Sequence, residues 1–424
     1  MTELALFLDG EPAGLLRQSA TGNVTFEYDG DYSASASATP LSLSMPLERR
    51  THPSRAVLPF LEGLLPDSAD RRNALAREHG VSAGNPFALL SHIGRDAAGA
   101  VQILPAGESS PDAARRQGDV ELLDDDRFAE VVADVIANRD VWGRRELGVR
   151  WSLPGAQPKI ALFRSRDQLW GVPNDSTPTT HIIKPAVPPY PDHHLNEFMT
   201  MTAARHLGLD VANDTMIVTT RGDAAFVSER YDRVTVGTRW VRLHQEDLCQ
   251  SMAVLPQKKY QVDGGPSVRQ IARLFRSLPD AQDRVRNAER FYDALVFSLA
   301  SQGTDAHAKN YSLLLEGDHA RLAPLYDLGS HAPYPTRGAA LTLAMSIDDE
   351  YRIHAIGTDA LVRAAGSLGL DDEYARDRVG VITAGVVDAF DRAADEARAV
   401  IGSHVFIDRL LDGIASWAEE RGWR

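Results

Sequence analysis

The sequence predicts an α+β chain, with a strand-rich lobe followed by a mainly helical lobe and a further small domain in front. Three observations carry this. Short β-rich runs separated by turn residues fill the stretch from 159 to 230, with one helical run among them. From about residue 245 the apolar spacing turns mostly helical. Upstream, "GESSPDAARRQGD" (107–119) is rich in Gly, Ser, Pro and charge and lacks apolar periodicity, which marks a linker. We therefore expect an accessory α/β domain over 1–106, a linker over 107–119, an N-lobe over 120–235 and a helical C-lobe over 236–424, with a cleft between the lobes.

In the first unit, "LALFLDGEPAGLL" holds two apolar runs around Asp9-Gly10, a hairpin signal. "AVLPFLEGLLPD" and "NPFALLSHIG" space Leu and Phe by three and four residues and are expected to be short helices. Beyond the linker, "KIALF", "THIIK", "TMIVTT" and "AAFVSER" are the expected strands. "HLNEFMTMTAARHLG" is the interrupting helix, with Leu195, Phe198, Thr202 and Leu207 near one face and Gly208 as its terminator. In the C-lobe, Val285, Ala288, Tyr292, Leu295 and Leu299 recur at helical steps and define the core face of a long helix that stops at Gly303.

At 424 residues the chain is too long for one ordinary core. Its apolar and charged fractions, 43% and 25%, are those of a globular protein. A net charge of −14 argues against DNA binding driven by charge over the whole surface. Cys249 is the single cysteine, which excludes an intramolecular disulfide and a multi-cysteine zinc site and fits a reducing cytoplasm; it is expected to be a small buried side chain. No run is long enough to span a bilayer, so a cytoplasmic protein without membrane attachment is expected.

The chemistry concentrates in "GTDAHAKNYSLLL" (303–315), where Asp305, His307, Lys309 and Asn310 fall within six positions between a helix and a strand. "YSLLL", the turn "EGDH" and the returning strand "ARLAPLYDLGS" form a hairpin that Asn310 enters and Asp327 leaves, so the two should face each other. An amide oxygen beside a carboxylate suits Mg²⁺. Asp305, five residues before the amide, is placed to take a proton from an attacking hydroxyl. Asp-x4-Asn, a hairpin and then Asp-x-Gly is the order of parts in kinases of the protein-kinase type. Any one of these residues alone is more often a polar loop cap; the ordered set points to a phosphotransferase using ATP and Mg²⁺.

Upstream, "SLPGAQPKIALF" (152–163) places Gly155 and Gln157 before a strand, where backbone N–H groups can cradle phosphates, although it is neither GxGxxG nor a Walker sequence. Lys184 ends the next strand, within reach of nucleotide phosphates, and Glu197 on the following helix is its expected partner. The adjacent histidines of "PDHHLNE" are a polar loop before a helix, with no matching metal cluster.

With these parts in order, the sequence resembles the HipA family, the kinase toxins of HipBA-type toxin–antitoxin modules. The likeness rests on "PGAQPK", "THIIKP", "NEF", "SERYDR", "HQEDLCQ" with "KKYQVDGGP", "GTDAHAKNYS" and "LYDLGS", and in the first unit on "PFLEGLLPD" and "GRDAAGAVQILP". It implies that Asp305 is the catalytic aspartate and that Asn310 and Asp327 hold Mg²⁺. ATP would be bound by the loop Pro154, Gly155, Ala156, Gln157, Pro158 and Lys159, by Lys184, by the connector Glu229, Arg230 and Tyr231, and by His307, Ala308, Lys309, Asn310, Tyr326 and Asp327. Ser152 matches the loop serine that family members autophosphorylate, which switches them off. Pro158 departs from the family pattern, and proline has no N–H to offer a phosphate.

The resemblance further implies a Ser/Thr protein kinase that inhibits growth by phosphorylating a protein substrate, an aminoacyl-tRNA synthetase in some members. A HipB-like DNA-binding antitoxin would neutralise it, and contact with DNA would be made mainly through that partner. Two alternatives stay open at the level of sequence: a kinase-like enzyme with a small-molecule or lipid acceptor, and a catalytically idle co-repressor.

Overall fold

A computed structural model describes residues 2–139, 142, 151–188, 192–336, 338 and 340–423. Residues 143–150 of the expected N-lobe and Pro191 of the histidine loop lie outside the described residues.

The first unit is an antiparallel sheet of β1 (Thr2–Leu8), β2 (Glu11–Gln18), β3 (Val24–Tyr28), β4 (Thr51–His52) and β5 (Val101–Pro105), in the order β4-β3-β2-β1-β5. Asp9 and Gly10 both take positive φ, 47° and 81°, the two-residue turn whose twist matches a hairpin. The helices are α1 (Gly30–Ala34), α2 (Ser54–Leu64), α3 (Ala69–His79) and α4 (Pro86–Ile93). α4 starts where the sequence places it, with Pro86 in the first turn and the Asn85 side chain accepting from Ala88 N–H. Leu6, Phe26, Phe60 and Leu90 form its closed core.

The stretch expected to be a linker is ordered and partly helical. α5 (Pro111–Arg115) buries Ala114, and Gln102 Nε2 donates to Ala114 O at 2.8 Å. It hands over to β6 (Val120–Leu123) and α6 (Asp125–Ala137), which precede β7 (Ile160–Arg164), β8 (Trp170–Pro173), β9 (His181–Pro185), β10 (Asp214–Val218) and β11 (Ala224–Glu229). These six strands form a second antiparallel sheet, ordered β10-β11-β9-β7-β8-β6.

Between β9 and β10 runs α7 (His193–His206), which is not the one-faced helix that its spacing suggests. Every residue from His194 to Ala204 is buried, and Leu195, Met199 and Met201 belong to the large core of the helical lobe. A helix wedged between a sheet and a helical body has no solvent face to keep polar.

After the ribbon β12 (Arg233–Val236) and β13 (Arg239–Arg242), β14 (His244–Asp247) leads into α8 (Leu248–Ser251), α9 (Val268–Ser277) and α10 (Ala281–Ala300). β15 (Ser312–Glu316) and β16 (His319–Leu322) pair with β14 as a three-stranded sheet, and α11 (Thr358–Leu368), α12 (Asp372–Ile401) and α13 (Val405–Glu420) complete the lobe. Val285 is 54% exposed and is not on the core face of α10. In that turn the buried positions are polar. Asn287 donates to Ala320 O at 2.8 Å and accepts from Leu322 N–H at 2.7 Å, and Asp283 accepts from Ala320 N–H at 3.2 Å, so the start of α10 caps the outer edge of β16. Among the described residues, no helix is long and apolar enough to cross a membrane.

Candidate active site

α10 ends in a way that fixes where the polar loop begins. Ser298 and Ser301 return their hydroxyls to carbonyls one turn back, Gln302 takes φ 54°, and Gly303 N–H bonds Ser298 O. The loop then ties itself: His307 N–H to Asp305 O at 2.8 Å, Asn310 N–H to His307 O at 2.9 Å, and Asn310 Nδ2 to Asp305 O at 3.0 Å. The Asn310 amide nitrogen donates to that carbonyl, and among the described residues no hydrogen bond reaches its oxygen. Burial holds His307 neutral, its pKa lowered to about 4.

Asp327 is delivered differently from the sequence expectation. The returning strand stops at Leu322, and an irregular segment carries the chain on, pinned by Leu325 N–H to Asp210 O and Ala212 N–H to Leu325 O. Asp327 itself sits at φ 57°. Tyr326 ties this segment to the loop, donating to Lys309 O at 2.7 Å and meeting Ser312 Oγ at the same distance.

From β9, the Lys184 ammonium reaches Glu197 Oε1 on α7 at 2.6 Å and Asp327 Oδ1 at 2.7 Å. Burial alone would lower the Lys184 pKa, but Asp327 and Glu197 outweigh it and raise it. Burial likewise acts to raise Asp327; Lys184 and Lys159 overcome it and hold the carboxyl far below its usual range. Glu197, at the bottom of the site, is pushed upward by burial against the pull of the same ammonium.

The loop before β7 lies across this cluster. Gly155 adopts φ 103°, a backbone conformation that favours glycine, and a Cβ there would fall 2.5 Å from Lys159 Nζ, the far end of a side chain that would have to shift. Lys159 folds back to donate to Pro154 O at 2.9 Å, and burial together with neighbouring Lys184 lowers its pKa. Ser152 faces away: its hydroxyl donates to Leu64 O of the first domain at 2.7 Å and is buried.

One cleft brings together Pro154, Gly155, Ala156, Gln157, Lys159, Lys184, Glu229, Arg230, Tyr231, Asp305, His307, Lys309, Asn310, Tyr326 and Asp327. Pro158, Ala308 and Ser152 are not on its lining. Arg230 borders the cleft, but its guanidinium is held by Asp96 and Asp232. His193, from the histidine pair, also lines it. Sequence reasoning missed two contributors. Tyr260 donates to Asp305 Oδ1 at 2.6 Å. Asp67, from the first domain, accepts from Lys309 Nζ at 2.5 Å and from Lys259 Nζ at 3.2 Å. The only signals were "KKYQVDGGP" and "LLPD", which have no local pattern that announces a site.

A strand-rich lobe, a helical lobe and a lysine bridging two carboxylates in the cleft define a bilobal protein-kinase-like fold. Comparison with known proteins gives the family. The model of the HipA-like C-terminal domain matches residues 151–390 and that of the HipA N-terminal domain matches 4–104. The chain belongs to the HipA family. It is 31% identical to the Sinorhizobium fredii protein Y4mE over 98% of this chain and 97% of that one. It is 32% identical to the serine/threonine-protein kinase toxin HipA of Shewanella oneidensis, over 79% of this chain and 76% of that one. In the solved complex of Shewanella oneidensis HipA with HipB and its operator DNA, a chain matches with a TM-score of 0.78 at 26% identity, covering 98% of this chain and 96% of that one.

Proposed function

We propose that the protein is an ATP-dependent Ser/Thr protein kinase of the toxin type, with its machinery in the cleft around Lys184. The observation that carries this is the Lys184 ammonium held between Glu197 and Asp327, the pairing that positions phosphates in kinases. Lys184 and the N–H groups of residues 155–157 would receive the phosphates. The connector Glu229–Tyr231 borders the cleft on the side where the adenine would lie.

Asp327 and Asn310 fit Mg²⁺ as hard oxygen donors. Lys184 occupies Asp327 Oδ1 and leaves Oδ2, and the Asn310 amide is oriented with its oxygen free. Bound there, the ion would neutralise charge on the phosphates. Tyr260 occupies Asp305 Oδ1 and leaves Oδ2 for the acceptor hydroxyl. The acceptor oxygen bonds to the γ-phosphorus as the bond to ADP breaks, and Asp305 takes the hydroxyl proton.

Ser152 is proposed as the self-modified serine. Its hydroxyl is buried against Leu64 O, so phosphorylation requires the loop to leave the first domain. A HipB-like antitoxin is the proposed partner, on the strength of the Shewanella oneidensis complex, with DNA contacted mainly through it as the net charge of −14 favours. The proposed units are an accessory domain over 1–106, an N-lobe over 120–235 and a C-lobe over 236–424, with the ordered, α5-bearing stretch 107–119 joining the first two, and the proposed compartment is the cytoplasm. The test compares wild type with Asp305→Asn for Mg-dependent transfer of phosphate from ATP to protein and for growth arrest on expression. Transfer and arrest in wild type, both lost in the variant with ATP affinity retained, are expected. Equal growth arrest by both would overturn the kinase-toxin mechanism.

A further inference from the structure

The first domain does not merely adjoin the kinase; Gly63, Asp67 and Ala98 line the cleft, and the turn after α2 brings a charged side chain into it. Leu64, Pro66 and Asp67 run beside the phosphate loop. Pro66 and Gly155 form a parallel bridge, Asp67 N–H donates to Gly155 O at 2.9 Å, and Ser152 Oγ donates to Leu64 O. A second strip repeats this, with Asp96 bridging Trp151 and accepting from Ser152 N–H at 2.9 Å. The phosphate loop and the residues that lead into it are thus laid along two strips of another domain.

The Asp67 side chain makes further ties. Oδ1 takes the ammonium of Lys309, one residue before Asn310, and Oδ2 takes that of Lys259, one residue before Tyr260. Lys309 is 4% exposed, so its charge has little water to turn to. Burial would raise the Asp67 pKa, but the two ammoniums outweigh this and hold it ionised below its ordinary range. One residue therefore binds three segments: the phosphate loop through its backbone, the catalytic loop through Lys309, and through Lys259 the segment whose Tyr260 orients Asp305. Without the carboxylate, two ammoniums would confront each other in an enclosed space, and their repulsion would push apart the pieces that fix Asp305 and Asn310.

We propose that Asp67 is a positioning residue of the active site, so that the catalytic centre is complete only when the first domain is docked. This rests on the kinase reading above, and the test separates the two. In the full-length protein, Asp67→Asn keeps the shape and backbone hydrogen bond but removes the charge. Mg·ATP turnover is expected to fall about tenfold to a hundredfold, as small misplacements of reacting groups do, with the KM for ATP little changed. Lys309→Met should cause a similar loss, the double variant should be no worse than the worse single one, and Asp67→Glu should recover part of the activity. Amide exchange should quicken at 303–310 and 257–260 in Asp67→Asn, with the strands of the first domain unaffected. Undiminished turnover in Asp67→Asn, losses that multiply in the double variant, or unchanged exchange in those two segments would each overturn the proposal. If wild type itself turns over no ATP, the kinase reading fails while the exchange measurement still decides whether Asp67 holds the loops. If Asp67→Asn does not fold, Lys309→Met carries the test from the other side, with faster exchange expected at 64–67.

Discussion

Around Lys184 one ammonium serves two carboxylates; around Asp96 one carboxylate serves three guanidiniums. Both tie distant parts of the chain together; the Asp96 cluster is buried throughout, whereas at Lys184 the Asp327 side chain stays 38% exposed. Asp96, from the first domain, accepts from Arg230 at 3.3 Å, Arg233 at 3.0 Å and Arg242 at 3.0 Å, and from both the N–H and hydroxyl of Thr179. Arg230 is also held by Asp232, which accepts from Gly99 N–H at 2.7 Å. The Asp96 carboxylate is fully engaged, by rigid guanidinium forks. The cluster at Lys184 is arranged otherwise. Glu197 Oε2 has no hydrogen-bond partner among the described residues, and Asp327 keeps one oxygen unclaimed by Lys184. The difference lies in the acids: the clamp's carboxylate is fully used, with only Arg233 Nε left without a partner among the described residues, whereas the cleft's carboxylates keep oxygens to offer a ligand.

The largest effects should come from breaking the cleft cluster and its neighbour. Asp305→Asn keeps the size of the side chain but cannot accept a proton, and phosphoryl transfer should fall by about 10²–10⁴-fold with near-normal ATP affinity. Asp327→Ala should instead abolish Mg-dependent nucleotide binding, read by calorimetry with and without the metal. Unchanged Mg·ATP affinity in that variant would place the metal elsewhere. Neither change should lower stability greatly, because the cleft is where the chain tolerates incomplete pairing.

The clamp should respond in the opposite way. Asp96→Ala leaves three guanidiniums buried around a vanished acid, a change that costs about 3–5 kcal/mol in comparable buried pairs. A fall in the denaturation midpoint at unchanged slope is the expected signature. A variant as stable as wild type would mean that the arginines find other partners and that the contrast between the clusters is false.

Much of this arrangement was legible, because its parts are local. The Asp305–Asn310 spacing, the hairpin and the strand ending at Lys184 are each written in a few consecutive residues. Three features were hidden for physical reasons. α7 offers a stripe of apolar residues but is enclosed on all sides, and periodicity cannot report a second buried face that tolerates Thr200 and small alanines. Val285 follows the apolar spacing of α10, yet there the inward positions are Asp283 and Asn287, spent on the β16 edge. Asp67 lies 242 positions from the Lys309 it holds, a separation that no pattern in the chain encodes.

The smallest effect sharpens the comparison through proton chemistry. Arginines of the clamp keep their charge through the neutral and mildly alkaline range, whereas the cleft depends on lysines. Lys159 has its pKa lowered by burial and by Lys184, so as pH rises it loses its proton earlier than an ordinary lysine near 10.5. The signs for folding and for binding then differ. The unfolded chain holds this proton more tightly than the folded one, so the burial penalty is relieved and stability rises as pH climbs through the folded value towards the unfolded one. Mg·ATP needs the charged form, so its affinity should fall across the same window, by about tenfold for each unit that bound phosphates raise the lysine. Calorimetry and denaturation in parallel from neutral pH upward should show the two trends crossing. Lys159→Met should flatten both while leaving the Asp96 clamp intact. Nucleotide affinity in wild type that stays level over that range would show that Lys159 does not meet the phosphates.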